Sequence, residues 1–311
     1  MRRNRLFILS TTLVLAFSIR AQAMVFKTDH RVDYNQVSDS AIRSLARSVF
    51  TFMLKEDLVQ THGRYEFVKH DTLQKTLGLC SGERFGKQTS VPTRCSGFLI
   101  SPDLGVTAGH CVSPLAVKDF CKNYYVVFDY HMHRGGQAPS NLGKSSVYAC
   151  DRIASLAFNP SGRTDDYAVL HFSRRVEHRP SLKYRKAGKI ADRAGVFMIG
   201  YPRGLAEKFS LDRKVSTNAD PSYFSADLDC FHGNSGSPVF NSRTLEVEGI
   251  FVRGDGDFPG SNDSNPQMIG DFLYDRAQKC YRTLICRKGD GCTATMDSTR
   301  ISRIPLLQSL R

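Results

Sequence analysis

An all-β fold behind an N-terminal helical segment is what this sequence predicts, and three observations carry it. After Cys80 the apolar residues fall in short runs: 96–100, 124–128, 167–172, 195–199, 237–240 and 247–252. Clusters of Gly, Pro, Asn and Asp divide those runs, as expected of strands joined by turns. Strand runs do not alternate with long helical patterns, which points to a sandwich or barrel rather than β/α units. The chain of 311 residues, 41% hydrophobic, is long enough for a sizeable core and too apolar for a disordered tail.

Residues 1–23 form the first element. Arg2, Arg3 and Arg5 lead into the apolar run 6–19, followed by Ala21-Gln22-Ala23. That is the three-part layout of a secretory signal peptide, with cleavage expected after Ala23. The run of 14 residues is shorter than the roughly 17–25 that a spanning helix needs, and no later segment is apolar enough for a transmembrane anchor.

Residues 24–78 form the second. Ile42, Leu45, Ala46, Val49 and Met53 recur at three- and four-residue steps with Ser40 placed as a cap, which predicts one amphipathic helix. The segment is either a pro-segment removed on activation or an extension packed on the main domain, 79–311.

The chain carries 43 Lys and Arg against 30 Asp and Glu; loss of the leader's four arginines takes the net charge from +13 to +9. Such charge suits electrostatic adhesion to anionic surfaces and says little about chemistry. Without an accompanying motif it gives no specific nucleic-acid partner. All nine cysteines follow the leader, where an oxidising compartment, outside the cell or in a periplasm, lets them pair; Cys280, Cys286 and Cys292 read as disulfide formers, and the odd number leaves one thiol over. The spacing of His131, His133, His171 and His232 matches no zinc motif, and the acids of 254–265 fail the calcium-loop pattern and read as an exposed turn. No metal or cofactor is expected, and the protein is expected to be a monomer.

Three stretches pair a reactive side chain with small neighbours: Thr107-Ala108-Gly109-His110-Cys111, Asp165-Asp166-Tyr167-Ala168-Val169-Leu170 and Gly233-Asn234-Ser235-Gly236-Ser237-Pro238. A serine hydroxyl is a poor nucleophile until an imidazole takes its proton and a carboxylate fixes that imidazole's tautomer. Glycines flanking Asn234-Ser235 permit a tight turn whose amides could hold an oxyanion.

In that order these stretches resemble the chymotrypsin-fold serine proteases, particularly the secreted bacterial trypsin-like and V8-like (glutamyl endopeptidase) branch. The resemblance covers roughly Cys80 to Val252, and Cys95-Ser96-Gly97-Phe98-Leu99-Ile100 matches the strand before the histidine. It implies two six-stranded antiparallel β-barrels with the active site in the cleft between them, acting on proteins or peptides. It implies His110 as general base, Asp166 as orienting acid, Ser235 as nucleophile and the amides of Gly233 and Ser235 as oxyanion hole. It also implies a Cys95–Cys111 disulfide.

Asp229, six residues before Ser235, falls where trypsin-like members place the acid at the floor of the specificity pocket, implying cleavage after Arg or Lys. Cys230 and Phe251 stand where the glutamyl branch has a hydroxyl and a histidine, which weakens a glutamyl-specific alternative. Arg253 is placed to neutralise Asp229, and Phe231 replaces a bridging cysteine of animal trypsins. Asn234 lacks the carboxylate of their zymogen switch. His232 is expected at the cleft rim, touching substrate. The rival from another class is a catalytically silent binding module for anionic surfaces.

Overall fold

The computed structural model describes residues 25–26, 28–112, 117–159, 164–257, 268–286 and 293–310. Residues 1–23, expected to be a leader, and Cys292 lie outside them. Two antiparallel systems make up the fold, as expected. In the first, strands run in the order Val147–Tyr148, Tyr124–Val127, Val49–Leu54, Arg94–Ser101, Leu104–Thr107, Tyr167–Phe172, Cys150–Ala157. Its two edges come from one run of chain, 147–157, broken only at Ala149, so the sheet curls into a half-barrel. In the second, Gly195–Gly200, Pro238–Asn241, Val247–Asp257, Thr293–Arg300, Tyr223–Ala226 and Lys208–Thr217 follow one another. A further pairing of Gly195–Gly200 with Lys208–Thr217 closes them into a six-stranded barrel.

Strands from the segment 24–78 take part in both barrels. Arg31–Asp33 pairs with Lys208–Ser210 at the edge of the closed barrel. Val49–Leu54 is an interior strand of the curled one, hydrogen-bonded to Arg94–Ser101 on one side and Tyr124–Val127 on the other. The expected helix is accordingly short, Ser40–Ala46, and its cap is Asp39, whose carboxylate accepts from the amides of Ala41 and Ile42. Residues 49 and 53 share a face in a strand as well as in a helix, because four residues are two full strand periods. Val49 and Met53 enter the core shared by both barrels, while Phe50 and Phe52 enter a second cluster within the curled barrel.

In that second cluster Phe50 meets Phe52, Phe128 and Phe172 edge-on at centroid distances of 5.4, 5.3 and 6.0 Å. Edge-to-face packing lets the positive ring edge meet the negative face, an addition to plain burial. Disulfides Cys121–Cys150 and Cys80–Cys280 join distant segments, the second across 200 residues of sequence. Cys286 is disulfide-bonded as well. Of the turn read at 254–265, Gly254–Asp257 instead finish a strand, and 258–267 lie outside the described residues. Among the described residues, no helix is long and apolar enough to cross a membrane.

Removing a fully buried aromatic leaves a cavity, so Phe50→Ala should cost about 3–5 kcal/mol, read as a lower urea midpoint. An unchanged midpoint would mean that the segment before Cys80 is dispensable to the folded domain.

Candidate active site

His110 lies in the short helix Gly109–Val112, directly after the strand Leu104–Thr107. Asp166 immediately precedes the strand Tyr167–Phe172, which pairs with Leu104–Thr107. This register sets the two side chains together: His110 Nδ1 is 2.8 Å from one Asp166 oxygen, and the His110 amide donates to the other at 3.0 Å. Two contacts to one carboxylate fix both the tautomer and the plane of the ring, leaving Nε2 turned away from that carboxylate. Asp166 is buried, while the neighbouring Asp165 is taken by Arg303 at 3.0 and 3.1 Å.

Ser235 comes from the closed barrel, in a turn whose glycines have φ of +101° at Gly233 and +89° at Gly236. A side chain at either would also strike backbone oxygen: Tyr201 O at 2.6 Å from a Cβ on Gly233, Ser96 O at 2.0 Å from one on Gly236. The amide of Gly236 donates to Phe251 O at 2.7 Å and that of Ser237 to Asn234 O at 2.8 Å. The amides of Gly233 and Ser235 donate to no protein group among the described residues. Two uncommitted amides beside a partly exposed serine make a donor pair for an oxyanion.

One residue the sequence reading passed over joins the halves. Ser96, fully buried on the strand Arg94–Ser101, donates its amide to Ser235 O at 2.7 Å and its hydroxyl to Gly233 O at 2.8 Å. The same hydroxyl accepts from the Tyr201 amide at 2.9 Å, and Ser96 O accepts from the Thr107 hydroxyl at 2.7 Å. Beside it, the Cys95–Cys111 disulfide fastens the histidine helix to this strand, and Cys111 Sγ lies 3.7 Å from Ser235 O. Although Cys95, His110 and Cys111 cluster as metal ligands would, both sulfurs are bonded to each other and only the imidazole remains a donor.

The specificity-pocket reading of Asp229 is corrected. Its carboxylate is fully buried and occupied: it accepts from the amides of Phe26 at 2.8 Å and His30 at 3.0 Å and pairs with Arg213 at 2.7 Å. The N-terminal segment thus takes the acid that the resemblance assigned to a substrate cation. Arg253 does not neutralise Asp229 either; it lies 3.4 Å from Asp297. Cys230 is buried with its sulfur 3.3 Å from Met296 Sδ, and the Phe251 side chain is core, so neither faces a substrate pocket. Phe231 is buried under the guanidinium of Arg31, 3.6 Å from its ring centroid.

His232 keeps a partly exposed side chain. Its Nδ1 is 2.6 Å from Asp271, a fully buried carboxylate that also accepts the His232 amide at 3.1 Å and pairs with Arg203. Burial alone would raise the Asp271 carboxyl; the charges and hydrogen bonds of His232 and Arg203 outweigh it and hold the group below its usual 3.8. No sequence spacing links these three residues, which come from three separate loops.

A family profile described as a trypsin-like peptidase domain matches residues 95–250, just over half of the chain. The chain belongs to that trypsin-like peptidase family, and the protein is a serine endopeptidase acting on peptide substrates. No curated protein matches it. Among solved structures it is similar to a Glu endopeptidase, at 16% identity and TM-score 0.46 over 74% of this chain and 87% of that one. It is also similar to the VesB protease of Vibrio cholerae, at 13% identity and TM-score 0.48 over 88% of this chain and 64% of that one.

Two outcomes follow from the geometry. Ser96→Ala strips partners from Gly233 O and the Tyr201 amide, so urea unfolding should show about 1–3 kcal/mol lost. Because the folded Asp271 carboxyl titrates below its unfolded 3.8, its stabilisation is complete above that pH and fades as pH falls through the folded value. Asp271→Asn should therefore cost about 3 kcal/mol at neutral pH, with the two urea-midpoint curves converging in acid.

Proposed function

We propose that this endopeptidase works through a Ser-His-Asp acyl-enzyme mechanism and is exported after loss of residues 1–23. The observation that carries the reading is the doubly bonded His110–Asp166 pair, next to Cys111, whose sulfur lies 3.7 Å from the carbonyl of Ser235 in the glycine turn. His110 Nε2 accepts the Ser235 hydroxyl proton as Oγ attacks the scissile carbonyl carbon. The carbonyl π electrons move to oxygen, which the Gly233 and Ser235 amides receive. Collapse expels the amine, protonated by His110, and leaves an ester on Ser235. Water then repeats the sequence, giving its proton to His110 and restoring Ser235. Asp166 remains ionised throughout and stabilises the imidazolium.

Cleavage after Arg or Lys is not carried forward, since the acid it required is bonded to the N-terminal segment and Arg213. Export is supported by the layout of the leader and by the disulfides, which persist in oxidising compartments. The intact His–Asp pair and uncommitted amides favour an enzyme over a silent binding module.

Peptides ending in Arg, Lys, Glu, Phe or Ala before a chromogenic amide test the reading. Ser235→Ala should abolish turnover, and Asp166→Asn should lower kcat about 10⁴-fold. Turnover that survives Ser235→Ala would remove the mechanism. A marked preference for Arg or Lys would restore a role for Asp229.

A further inference from the structure

A second concavity, of about 430 Å³, contains none of the proposed catalytic residues. Its walls are the 3₁₀ turn Tyr34–Gln36, the helix Ser40–Ala46 with Arg47, and the loop 131–134. Arg43, Arg47 and Arg134 line it together with His133 and the hydroxyls of Ser40 and Ser44, and none of its ten lining residues is acidic. Arg47 donates to the carbonyl of His178, whereas Arg43 and Arg134 make no side-chain hydrogen bond or ion pair among the described residues. Arg43 and Arg47 are one helical turn apart and so share a face. Like charges brought together without a counter-charge repel, and an anion between them converts that repulsion to attraction.

The acids nearest in sequence are already engaged. Asp39 caps the helix, and Asp129 pairs with Arg179 at 2.7 Å. The wall itself is rigid: the His131 ring stacks on Tyr34 at 4.1 Å, and burial pushes its imidazole down to about 4, so it is neutral at pH 7.

The geometry points to a binding site for a multiply charged tetrahedral oxyanion, a phosphate or sulfate group carried on a larger ligand. A carboxylate is satisfied by one guanidinium fork, whereas the two uncommitted guanidiniums of Arg43 and Arg134, with the hydroxyls of Ser40 and Ser44 beside them, match three or four oxygens sharing two or more charges. The site lies on the wall formed by the segment before Cys80 and is separate from peptide hydrolysis.

Isothermal titration of the protein with tripolyphosphate, and separately with sucrose octasulfate, tests this at fixed ionic strength. One site is expected, with Arg43→Gln plus Arg134→Gln weakening it about tenfold. Lys87→Gln plus Lys118→Gln removes the same charge elsewhere on the surface and should weaken it less than about twofold. Tighter binding of tripolyphosphate assigns the site to phosphate chains, and tighter binding of the octasulfate to sulfated sugars. Unchanged thermal midpoints show that both double variants are folded. Equal weakening by the two pairs, or no binding of either anion to the unaltered protein, overturns the proposal.

Discussion

The fold and the site depend on a single buried serine between the barrels. Ser96 commits its amide, hydroxyl and carbonyl, reaching Ser235, Gly233, Tyr201 and Thr107. Each bond contributes about 1 kcal/mol net, but leaving any partner unmet in a dry interior costs more than that. The arrangement is therefore cooperative. The Ser235 turn has little freedom to shift relative to the strand Arg94–Ser101 without exposing several polar groups at once. The Cys95–Cys111 disulfide covers the adjoining residue and holds the other side of the same joint.

A second constraint concerns the N-terminal segment. Val25 is fully buried, Phe26 and His30 donate to Asp229, and Arg31 is buried beside Asp29 and over Phe231. The carboxylate of Asp229 is thereby sealed by chain that a simple reading would discard. A buried acid needs paired donors, and here the first residues of the described chain supply them. The acid is structural.

Much of this was legible beforehand where the physics is local. All six apolar runs became strands, since alternation and turn residues act over a few positions. His110, Asp166 and Ser235 stood out because each needs small, fixed neighbours, and the structure sets His110 against Asp166 as those neighbours suggest. The segment 42–53 misled because a four-residue repeat fits both periods. The run Val49-Phe50-Thr51-Phe52, β-branched and aromatic, was the strand signal available there.

By itself the sequence determined the strand-rich class, the reactive stretches and the cysteine supply, all set by residue type and near neighbours. Only tertiary structure decided what Asp229, Ser96 and Asp271 do. Asp229 meets Phe26 across 203 positions and Ser96 meets Gly233 across 137. The charge of a carboxylate is visible in a sequence, but whether it faces a substrate or a buried amide depends on which distant chain arrives beside it.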